Sequence, residues 1–558
     1  MAGAARGGAR GYREGGMKKN VLIVGAGPVG MVLACELLQQ GVSVRLIERN
    51  AAPPQDDPHS RAILLVPRAL EQLRRIGVSE QLVAAGHKVP RIGYHSRGRL
   101  RGTAAFDRLP DTPYPFLLAL PQKQTERVLR QRLAGLGGVI ERGTAMESLD
   151  AADGPPTVVL RHADGRSETV RPDWLVGADG AASTTRKLLG QRLDGDDTDV
   201  TYVIADAPLS GPLPDGAHYC YSANGLVAII PMRDGLYRIA GNVPHRTDDS
   251  APPWQQILQD LVDQRVGLPL KVGPPTYARL VRPRCGRAQQ FRVGQVFLIG
   301  DAAHVITPAG GQGMNLGIQD AVNLGWRLGG VATGRLDESV LDGYHRERSL
   351  AVARMSANTA RLVALSLQRD RARAAVRDLT FRVLDRLGLV QRSLTPLLSQ
   401  LDGDYAPGDG TPARWRRRPL HVGQRVPLFA PADADRPTSL DRCVPTVVLW
   451  PGRRPPRDWG AVSDDMRRRV AGRSRVLDLA DLSPAERARL RPVFGRRPVA
   501  AVVRPDGHVA HLSGPDDPAS VLRHLDAVLT TDAPEPAGAT WQWIGDPAAA
   551  GPAPVRAA

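Results

Sequence analysis

The sequence predicts an α/β protein in which a Rossmann-type nucleotide-binding domain is interrupted by a mostly antiparallel sheet. A second, smaller α/β domain follows. Three observations lead to this prediction. A Gly-x-Gly-x-x-Gly loop joins a short apolar run to a helical pattern near the start of the chain. The apolar pattern changes to strand-like alternation between about residues 194 and 277, and a further strand and helix pattern begins after residue 421.

The composition fits a large globular protein with a basic surface. The chain has 558 residues, enough for about two to four domains, and 42% of them are hydrophobic. The formal charge of +17 raises the possibility of a nucleic-acid partner. However, the chain has only six lysines, and its arginines are scattered rather than clustered. We therefore expect no nucleic-acid partner, although a positive field favours phosphate-bearing cofactors.

Cysteine usage and the chain ends give the expected compartment. The cysteines are far apart and form no metal-spaced group: Cys35, Cys220, Cys285 and Cys443. We therefore expect a cytoplasmic protein without a metal site. No apolar run reaches membrane-spanning length, so we expect no membrane partner. Residues 1–16 lack the apolar core of a signal peptide and predict a disordered tail, and the Ala/Pro-rich residues 531–558 predict a mobile one.

The glycine-rich loop stands in the context that dinucleotide binding requires. Residues 21–24 predict a buried strand, residues 31–38 a helix, and residues 42–47 a second strand that ends at Glu48. In this pattern Gly25 makes the tight turn, Gly27 lets a pyrophosphate approach, and Gly30 allows close helix–strand packing, while Glu48 accepts hydrogen bonds from ribose hydroxyls. The motif does not distinguish a flavin dinucleotide from a nicotinamide one.

Two local elements follow before the next loop. Residues 125–136 predict a helix with Thr125 as its cap. Alternation on either side of Asp164-Gly165 predicts a β-hairpin.

A second loop begins where a predicted buried strand, residues 174–177, ends. It reads Gly177-Ala178-Asp179-Gly180 and precedes a helix that carries Arg186. This loop lies near the first only if both strands share one sheet. A simple Asp-Gly turn is the alternative.

A third loop has the same form and is the longest. Asp301 follows a predicted strand, and a Pro/Gly-rich loop then leads to a helix that starts near Met314. Glycine lets the backbone approach a flat ligand, and a helix N-terminus offers free N–H groups and a partial positive charge. A glycine-rich turn before a core helix is the alternative.

These patterns give a domain plan. Residues 17–190 and 280–370 form the nucleotide-binding domain, and residues 191–279 form the inserted sheet. Residues 371–420 form a helical segment and linker, and residues 421–530 form the last domain.

The three loops, in this order, resemble those of the class A, or single-component, FAD-dependent aromatic hydroxylases, which share the para-hydroxybenzoate hydroxylase fold. The likeness spans about residues 21–361. The sequence Val503-Arg504-Pro505-Asp506-Gly507-His508-Val509-Ala510 resembles the thioredoxin-like extension of the polyketide hydroxylase and rifampicin monooxygenase subgroup, where Trp usually stands in place of His511. The resemblance therefore implies that residues 421–530 are thioredoxin-like and that residues 191–279 bind substrate.

The resemblance also implies cofactors and their contacts. FAD is the bound cofactor, and NADPH or NADH is the co-substrate. Asp179 serves both FAD and the passing NADPH, and Asp301 binds the ribityl chain. The residues implied to contact FAD are Gly25, Gly27, Gly30, Glu48, Arg49, Arg61, Gln122, Asp179, Asp301, Pro308, Gly310, Gly311, Gly313, Met314 and Asn315.

The implied activity is that of an NAD(P)H-consuming monooxygenase. It transfers one oxygen atom of O2 to a polycyclic aromatic, polyketide-type substrate through a flavin C4a-hydroperoxide, in antibiotic or secondary-metabolite biosynthesis. We assign no catalytic residue, because His304 is better explained as a support of its loop. Tyr219, Tyr221 and Arg238 are weak substrate-binding candidates. The expected partners are an aromatic small molecule, O2 and NAD(P)H, and the protein is expected to be a monomer or homodimer.

Three alternatives stay open. Baeyer–Villiger oxygenation and antibiotic-inactivating hydroxylation use the same fold. A non-catalytic flavin-binding scaffold is the alternative from a different class, and the intact Asp179 and Asp301 argue against it.

Overall fold

The computed structural model describes residues 19–52, 62–109, 111–152, 154–195, 200–222, 224–243, 253–282, 285–306, 311–366, 371–406, 420–427 and 440–530. The predicted tails, 1–16 and 531–558, lie outside the described residues. So do most of the predicted linker and the site candidates Arg61, Pro308 and Gly310.

The strands are, in chain order, β1 (Asn20–Val24), β2 (Ser43–Glu48), β3 (Leu64–Leu65), β4 (His87–Val89), β5 (Arg91–Ser96), β6 (Arg99–Ala105), β7 (Leu117–Ala119), β8 (Ile140–Arg142), β9 (Thr144–Asp150), β10 (Thr157–His162), β11 (Ser167–Val170), β12 (Trp174–Gly177), β13 (Leu193–Asp194), β14 (Thr201–Ser210), β15 (Ala217–Ser222), β16 (Gly225–Pro231), β17 (Leu236–Val243), β18 (Lys271–Val272), β19 (Tyr277–Val281), β20 (Gly286–Ala288), β21 (Arg292–Val293), β22 (Val296–Leu298), β23 (His304–Val305), β24 (Thr446–Trp450), β25 (Arg475–Asp478), β26 (Val499–Val503) and β27 (Val509–Ser513).

The α-helices are α1 (Pro28–Gln39), α2 (Pro67–Leu73), α3 (Ser79–Ala85), α4 (Gln122–Gly135), α5 (Thr184–Leu188), α6 (Trp254–Arg265), α7 (Gly313–Ala332), α8 (Asp342–Ser366), α9 (Arg371–Arg386), α10 (Thr395–Ser399), α11 (Trp459–Val470), α12 (Pro484–Phe494) and α13 (Pro518–Asp526). In the part of the chain that the structure describes, no helix combines the length and apolarity needed to cross a bilayer.

The nucleotide-binding domain is built on a six-stranded sheet with the order β21-β22-β12-β1-β2-β8. Strands β22, β12, β1, β2 and β8 run parallel. Alternate residues of β1 enter different cores: Val21 and Ile23 pack with α1 and α7, whereas Leu22 and Val24 pack toward the β9–β11 sheet. A parallel sheet covered on both faces is the Rossmann-type layer that the sequence predicts.

The inserted sheet is larger than predicted. It has eight strands in the order β18-β14-β17-β16-β15-β5-β6, with β19 paired to β14. Two of them, β5 and β6, come from residues 91–105, which the sequence analysis assigned to the nucleotide-binding domain. The predicted limits of 191–279 are therefore too narrow. These two strands join the sheet through the parallel pairing of β5 with β15. In this pairing Ile92 lies beside Ala217, which follows it by more than a hundred residues in the chain.

The last domain is a four-stranded mixed sheet with the order β25-β24-β26-β27. Helices α11 and α13 cover one face and α12 covers the other. The thioredoxin-like assignment stays a prediction.

Most local predictions hold, and one is wrong. The Asp164-Gly165 hairpin is present as β10 and β11, with Gly165 at a positive φ of 84°. Thr125 does not cap α4, because that helix begins three residues earlier at Gln122. Thr125 instead lies fully buried within the helix.

Candidate functional site

The three loops meet at one end of the six-stranded sheet. In the register of the parallel strands, Val24 lies beside Gly177 and Ile47, and Gly177 lies beside Leu298. Neighbouring strands of a sheet are about 4.8 Å apart, so the loops that follow them are adjacent. The carboxyl end of a parallel sheet is where doubly wound proteins bind ligands. The second loop was expected near the first only if their strands share one sheet, and β1 and β12 do pair in one sheet.

The first loop is packed so closely that its outer glycines have no room for a side chain. Gly25 has a φ of 106°, and a Cβ on it would lie 2.5 Å from the carbonyl oxygen of Ala178. A Cβ on Gly30 would lie 2.1 Å from the carbonyl oxygen of Gly25. Gly27 differs, because a Cβ there would meet no protein atom within 4 Å. The open space at Gly27 is where the motif requires a pyrophosphate to approach.

The start of α1 leaves its backbone N–H groups available. Gly27 is the N-cap residue, and among the described residues no side chain caps it. Glu48 lies beside this turn, with Oε2 accepting from the Ala26 N–H at 3.1 Å and Oε1 from the Asn50 N–H at 3.0 Å. These bonds fix the carboxylate at the end of β2, and Arg49 is exposed next to it. An uncapped helix start beside an oriented carboxylate suits a phosphate and a ribose.

The second loop is held by its own aspartate. Asp179 accepts from the Ser183 hydroxyl at 2.5 Å, and from the Thr185 N–H and hydroxyl at 2.9 and 3.1 Å. Ser183 in turn caps α5 by accepting from the Arg186 N–H. Both oxygens of Asp179 therefore shape the loop, and its predicted contact with FAD and NADPH stays a prediction.

The third loop packs onto the first through α7. A Cβ on Gly317 would lie 2.6 Å from a Val29 methyl and 3.1 Å from the Cα of Gly300. Asp301 follows Gly300 and is partly exposed at the end of β22. Gly311, Gly313 and Met314 are partly exposed at the start of α7, which no side chain caps within the described residues. A second helix start thus points free N–H groups toward the same end of the sheet.

The side chains of Asn315 and Gln122 form hydrogen bonds to neighbouring backbone groups. Asn315 is fully buried and donates from Nδ2 to the carbonyl oxygens of Leu64 and Gly311, while its Oδ1 accepts from the Val66 N–H at 3.0 Å. Gln122 pairs with the backbone of Ala62. These contacts fix strand β3 and its approach against the third loop. The contact of Asn315 and Gln122 with FAD stays a prediction.

The sequence analysis missed the residues that fix the third loop from behind. Asp320 on α7 is fully buried; its Oδ2 accepts from the Gly300 N–H at 3.0 Å and from His304 Nε2 at 2.5 Å. Its Oδ1 accepts from Arg348 Nε on α8 at 2.6 Å. Burial by itself raises the pKa of Asp320, but His304 and Arg348 outweigh it and hold that pKa below its usual value. The contact also agrees with the interpretation of His304 as a support of the loop.

One signal in the sequence could have revealed Asp320. It is the only carboxylate in residues 313–332, a predicted helix whose sequence is otherwise mostly apolar or small and has one other charged residue, Arg327. A carboxylate at such a position needs a buried partner.

The face of the large sheet that packs against the nucleotide-binding domain carries the predicted substrate residues. Tyr219 and Tyr221 lie beside Tyr94, at ring-centroid distances of 5.9 and 6.4 Å, and Phe381 of α9 stacks on Tyr94 at 5.6 Å. Burial raises the pKa of Tyr219 to about 12, so its phenol is neutral near neutral pH. This cluster is an aromatic surface without a phenolate base.

Arg238 is buried on the same face of the sheet. Its guanidinium donates to both carboxylate oxygens of Asp206, at 2.5 and 3.0 Å. The pair is neutral overall, so Arg238 does not present an uncompensated charge to a ligand.

The arrangement defines a class of protein. A Rossmann-type layer with two uncapped helix starts at one sheet end suits a flavin dinucleotide, and the aromatic cluster on the large sheet that packs against this domain suits a flat guest. The residues present therefore fit FAD.

Comparison with known proteins agrees with this assignment. The sequence profile of the FAD binding domain family matches residues 18–359, which is more than half of the chain, and the protein belongs to this family.

Its relatives narrow the class to monooxygenases. The chain is 38% identical to 6-methylpretetramide 4-monooxygenase of Streptomyces rimosus over 405 residues, which cover 70% of this chain and 72% of the relative. It is 32% identical to rifampicin monooxygenase of Streptomyces venezuelae over 71% of this chain and 82% of the relative. The structure of the anhydrotetracycline hydroxylase OxyS of Streptomyces rimosus matches with a TM-score of 0.70 and 28% identity, covering 92% of this chain and 99% of OxyS. The protein is an FAD-dependent monooxygenase of the aromatic hydroxylase type.

Proposed function

We propose that the protein inserts one atom of O2 into a polycyclic aromatic, polyketide-type molecule at the expense of NAD(P)H. The observation that carries this proposal is the convergence of the three loops at one end of the parallel sheet, in a molecule whose large sheet packs the aromatic cluster of Tyr94, Tyr219 and Tyr221 against the same domain. The relatives named for tetracycline-type substrates support the choice of a polycyclic guest.

Each loop has a proposed part in holding FAD. Gly25, Gly27 and the start of α1 hold the pyrophosphate, and Glu48 accepts from the adenosine ribose. Asp301 binds the ribityl chain, and the backbone of residues 311–315 lies against the isoalloxazine. The positive end of the α7 dipole stabilises negative charge on the reduced ring.

Bound FAD would supply the redox chemistry, with NAD(P)H as the reductant, one atom of O2 going to the substrate and the other, with protons, to water. The chain's own contribution is to orient the two partners and exclude water from the space between them. Because the Arg238–Asp206 pair and the tyrosine phenols carry no net charge, this face of the large sheet offers the substrate an uncharged aromatic surface. We assign no proton-transferring side chain.

A second candidate, oxygenation of a finished antibiotic, is favoured by the similarity to rifampicin monooxygenase. The two candidates use the same chemistry and differ in substrate. The FAD-loaded protein is tested with polycyclic phenols and with ansamycin antibiotics under ¹⁸O2, with NADPH and NADH in parallel. Mass spectrometry then identifies the product.

The proposal expects substrate-stimulated consumption of NAD(P)H and one labelled oxygen in a hydroxylated polycyclic product. A labelled ester or lactone instead indicates Baeyer–Villiger oxygenation. Labelling of only the antibiotic supports the second candidate. A protein that holds FAD yet never turns over with any of these compounds overturns the proposal and favours a scaffold.

A further inference from the structure

A short segment between α10 and the last domain contacts the residues that support the two ends of the third loop. This segment, residues 400–406, is called the connector here. Gln400 at its start has a φ of 56°, a left-handed conformation that costs a residue other than glycine about 1 kcal/mol or more. Gln400 is nonetheless buried, and both ends of its side-chain amide are engaged.

The Gln400 side-chain amide links the end of the third loop to the second turn of α7. Its Nε2 donates to Oε1 of Gln312, the residue at the N-cap of α7, and its Oε1 accepts from Nε2 of Gln319 about two turns further along. Gln312 also donates to the carbonyl oxygen of Leu398. The residue immediately before Gly313 is therefore fixed from the connector.

The other end of the connector reaches the Gly300-Asp301 loop. The Tyr405 hydroxyl accepts from Arg348 Nη1 at 2.8 Å, and Arg348 Nε donates to Asp320 at 2.6 Å. Asp320 then holds the Gly300 N–H at 3.0 Å. Arg348 and Asp320 are fully buried, so water does not compete for these bonds.

The last domain covers the connector from outside. The His508 ring lies 4.3 Å from the Tyr405 ring, and the Arg504 guanidinium lies 5.3 Å above it. The Tyr405 N–H donates to the carbonyl oxygen of Gly423, and the Gly423 N–H donates to that of Val509 at 2.8 Å. The turn between β26 and β27 thus packs on Tyr405, which in turn contacts Arg348 of α8.

We propose that the last domain positions the FAD-binding loops through the connector, with Gln400 and Tyr405 as positioning residues. This inference rests on the proposed placement of FAD at Asp301 and residues 311–315. It assigns a role in flavin binding to a domain that contains none of the predicted FAD contacts.

The test uses full-length protein loaded with FAD. Tyr405→Phe keeps the ring between His508 and α8 but removes the hydroxyl. Gln400→Asn tolerates the left-handed conformation but cannot reach both glutamines. We expect each change to weaken FAD binding about fivefold or more, the range typical of coupling between sites, and to alter the visible absorption of bound flavin. The measurements are FAD titration by fluorescence quenching and the absorption spectrum.

Two matched controls separate positioning from general loss of stability. Tyr114→Phe also removes a hydroxyl of a buried tyrosine. This hydroxyl donates to Glu80 at 2.9 Å and has no contact with the connector among the described hydrogen bonds. Leu525→Ala weakens the core of the last domain without touching the connector. Both are expected to lower the melting temperature and leave the FAD affinity and the flavin spectrum of the folded protein unchanged.

His508→Ala tests the contribution of the last domain. It should weaken FAD binding in the same direction, and its effect combined with Tyr405→Phe should be smaller than the sum of the two, because the loss of the His508 ring acts through the placement of the Tyr405 hydroxyl that Tyr405→Phe removes. Unchanged FAD affinity in His508→Ala, relative to Leu525→Ala, overturns the role of the last domain.

The outcomes distinguish this inference from the proposed FAD site. If Asp301→Ala weakens FAD binding but Tyr405→Phe and Gln400→Asn do not, the connector has no positioning role and the site stands. If Asp301→Ala also leaves FAD affinity unchanged, the placement of FAD itself is wrong. Equal weakening by Tyr114→Phe shows a general effect and overturns the inference.

Discussion

Arg186 donates a hydrogen bond to the carbonyl oxygen of Ala302 over 2.9 Å and so ties the second loop of the site to the third. The same guanidinium donates to the carbonyl oxygen of Ala181 at 2.7 Å. Because a hydrogen bond involving a charged group contributes about 1.5–3 kcal/mol, Arg186→Leu should lower the free energy of unfolding by at least that amount. It should also reduce FAD retention, measured as the flavin-to-protein ratio after gel filtration.

Arg161 gives the matched control for that change. It likewise donates to a backbone carbonyl, that of Gly165, and pairs with Glu147, but its side chain is about half exposed. Arg161→Leu should leave the free energy of unfolding almost unchanged, because exposed ion pairs contribute little. Equal effects of the two substitutions would show that the link between the loops has no special role.

The glycines of the first loop allow ligand binding to be separated from folding. Gly30→Ala places a Cβ 2.1 Å from the carbonyl oxygen of Gly25 and should destabilise the protein with or without FAD. Gly27→Ala meets no protein atom within 4 Å, and its φ of −70° suits alanine. We expect it to cost less than about 1 kcal/mol of stability without FAD.

With FAD, the added methyl group of Gly27→Ala should occupy the pyrophosphate space. The expected loss of FAD affinity is about 1–3 kcal/mol, the usual cost of overpacking. Calorimetric titration of the flavin-free protein gives this value. Full affinity in Gly27→Ala would place the pyrophosphate elsewhere.

The sequence predicts the three loops of the site better than it predicts the strands of the large inserted sheet. Gly25, Asp179 and Asp301 each lie within three residues of the end of a buried strand, so local pattern indicates three strand-end loops, and the structure adds that their strands share one sheet. Strands β5 and β6 were missed because their partner, β15, lies more than a hundred residues away. Local alternation marks a strand but carries no information on which sheet it joins.

Buried polar residues were the other gap. Asp320 and Arg348 look like the polar face of ordinary helices when each is considered alone, and only their mutual 2.6 Å contact explains them. The Thr125 prediction failed for a related reason. A threonine near a helix start resembles a cap, but the chain turns into α4 already at Pro121.

Asp301 gives a direct test of the ribityl contact. Asp301→Ala should weaken FAD binding by about 1.5–3 kcal/mol, the range for a lost hydrogen bond of a charged group. The flavin content of the purified variant and its FAD dissociation constant measure the effect. Asp164→Ala, in the exposed hairpin turn, is the control and should retain FAD like the unaltered protein. Unchanged flavin content in Asp301→Ala counts against the placement.

The docking of the last domain depends on Glu71 of α2. Its carboxylate accepts from Arg425 at 2.5 and 3.0 Å and from Arg68 at 3.0 Å, and all three side chains are buried. Glu71→Gln removes the carboxylate partner of the buried Arg68 and leaves the buried Arg425 with Asp111 alone, so the free energy of unfolding should fall by about 3–5 kcal/mol. Urea unfolding measures the loss. Asp464→Asn, which breaks an exposed pair with Arg467, should have almost no effect.

Glu347 makes the same interface sensitive to acid. Its carboxylate lies 2.6 Å from Arg504 and 2.9 Å from Arg327. Burial by itself raises the pKa of Glu347, but the two guanidinium charges outweigh it and lower that pKa from 4.5 to about 2. A carboxyl group with a lower pKa in the folded state stabilises the fold at pH values above its unfolded pKa. That stabilisation is lost as the pH falls through the folded value.

The stabilisation from Glu347 should therefore be complete above about pH 4.5 and disappear as the pH falls to about 2. Its size is expected to be on the order of 2–3 kcal/mol. Glu347→Gln should lower the free energy of unfolding at pH 7, and the difference from the unaltered protein should shrink between pH 5 and pH 3. Urea unfolding across this range measures the difference, with Glu147→Gln in the exposed hairpin as the control. A difference between Glu347→Gln and the unaltered protein that does not change with pH would show that the ionisation of Glu347 is not linked to folding.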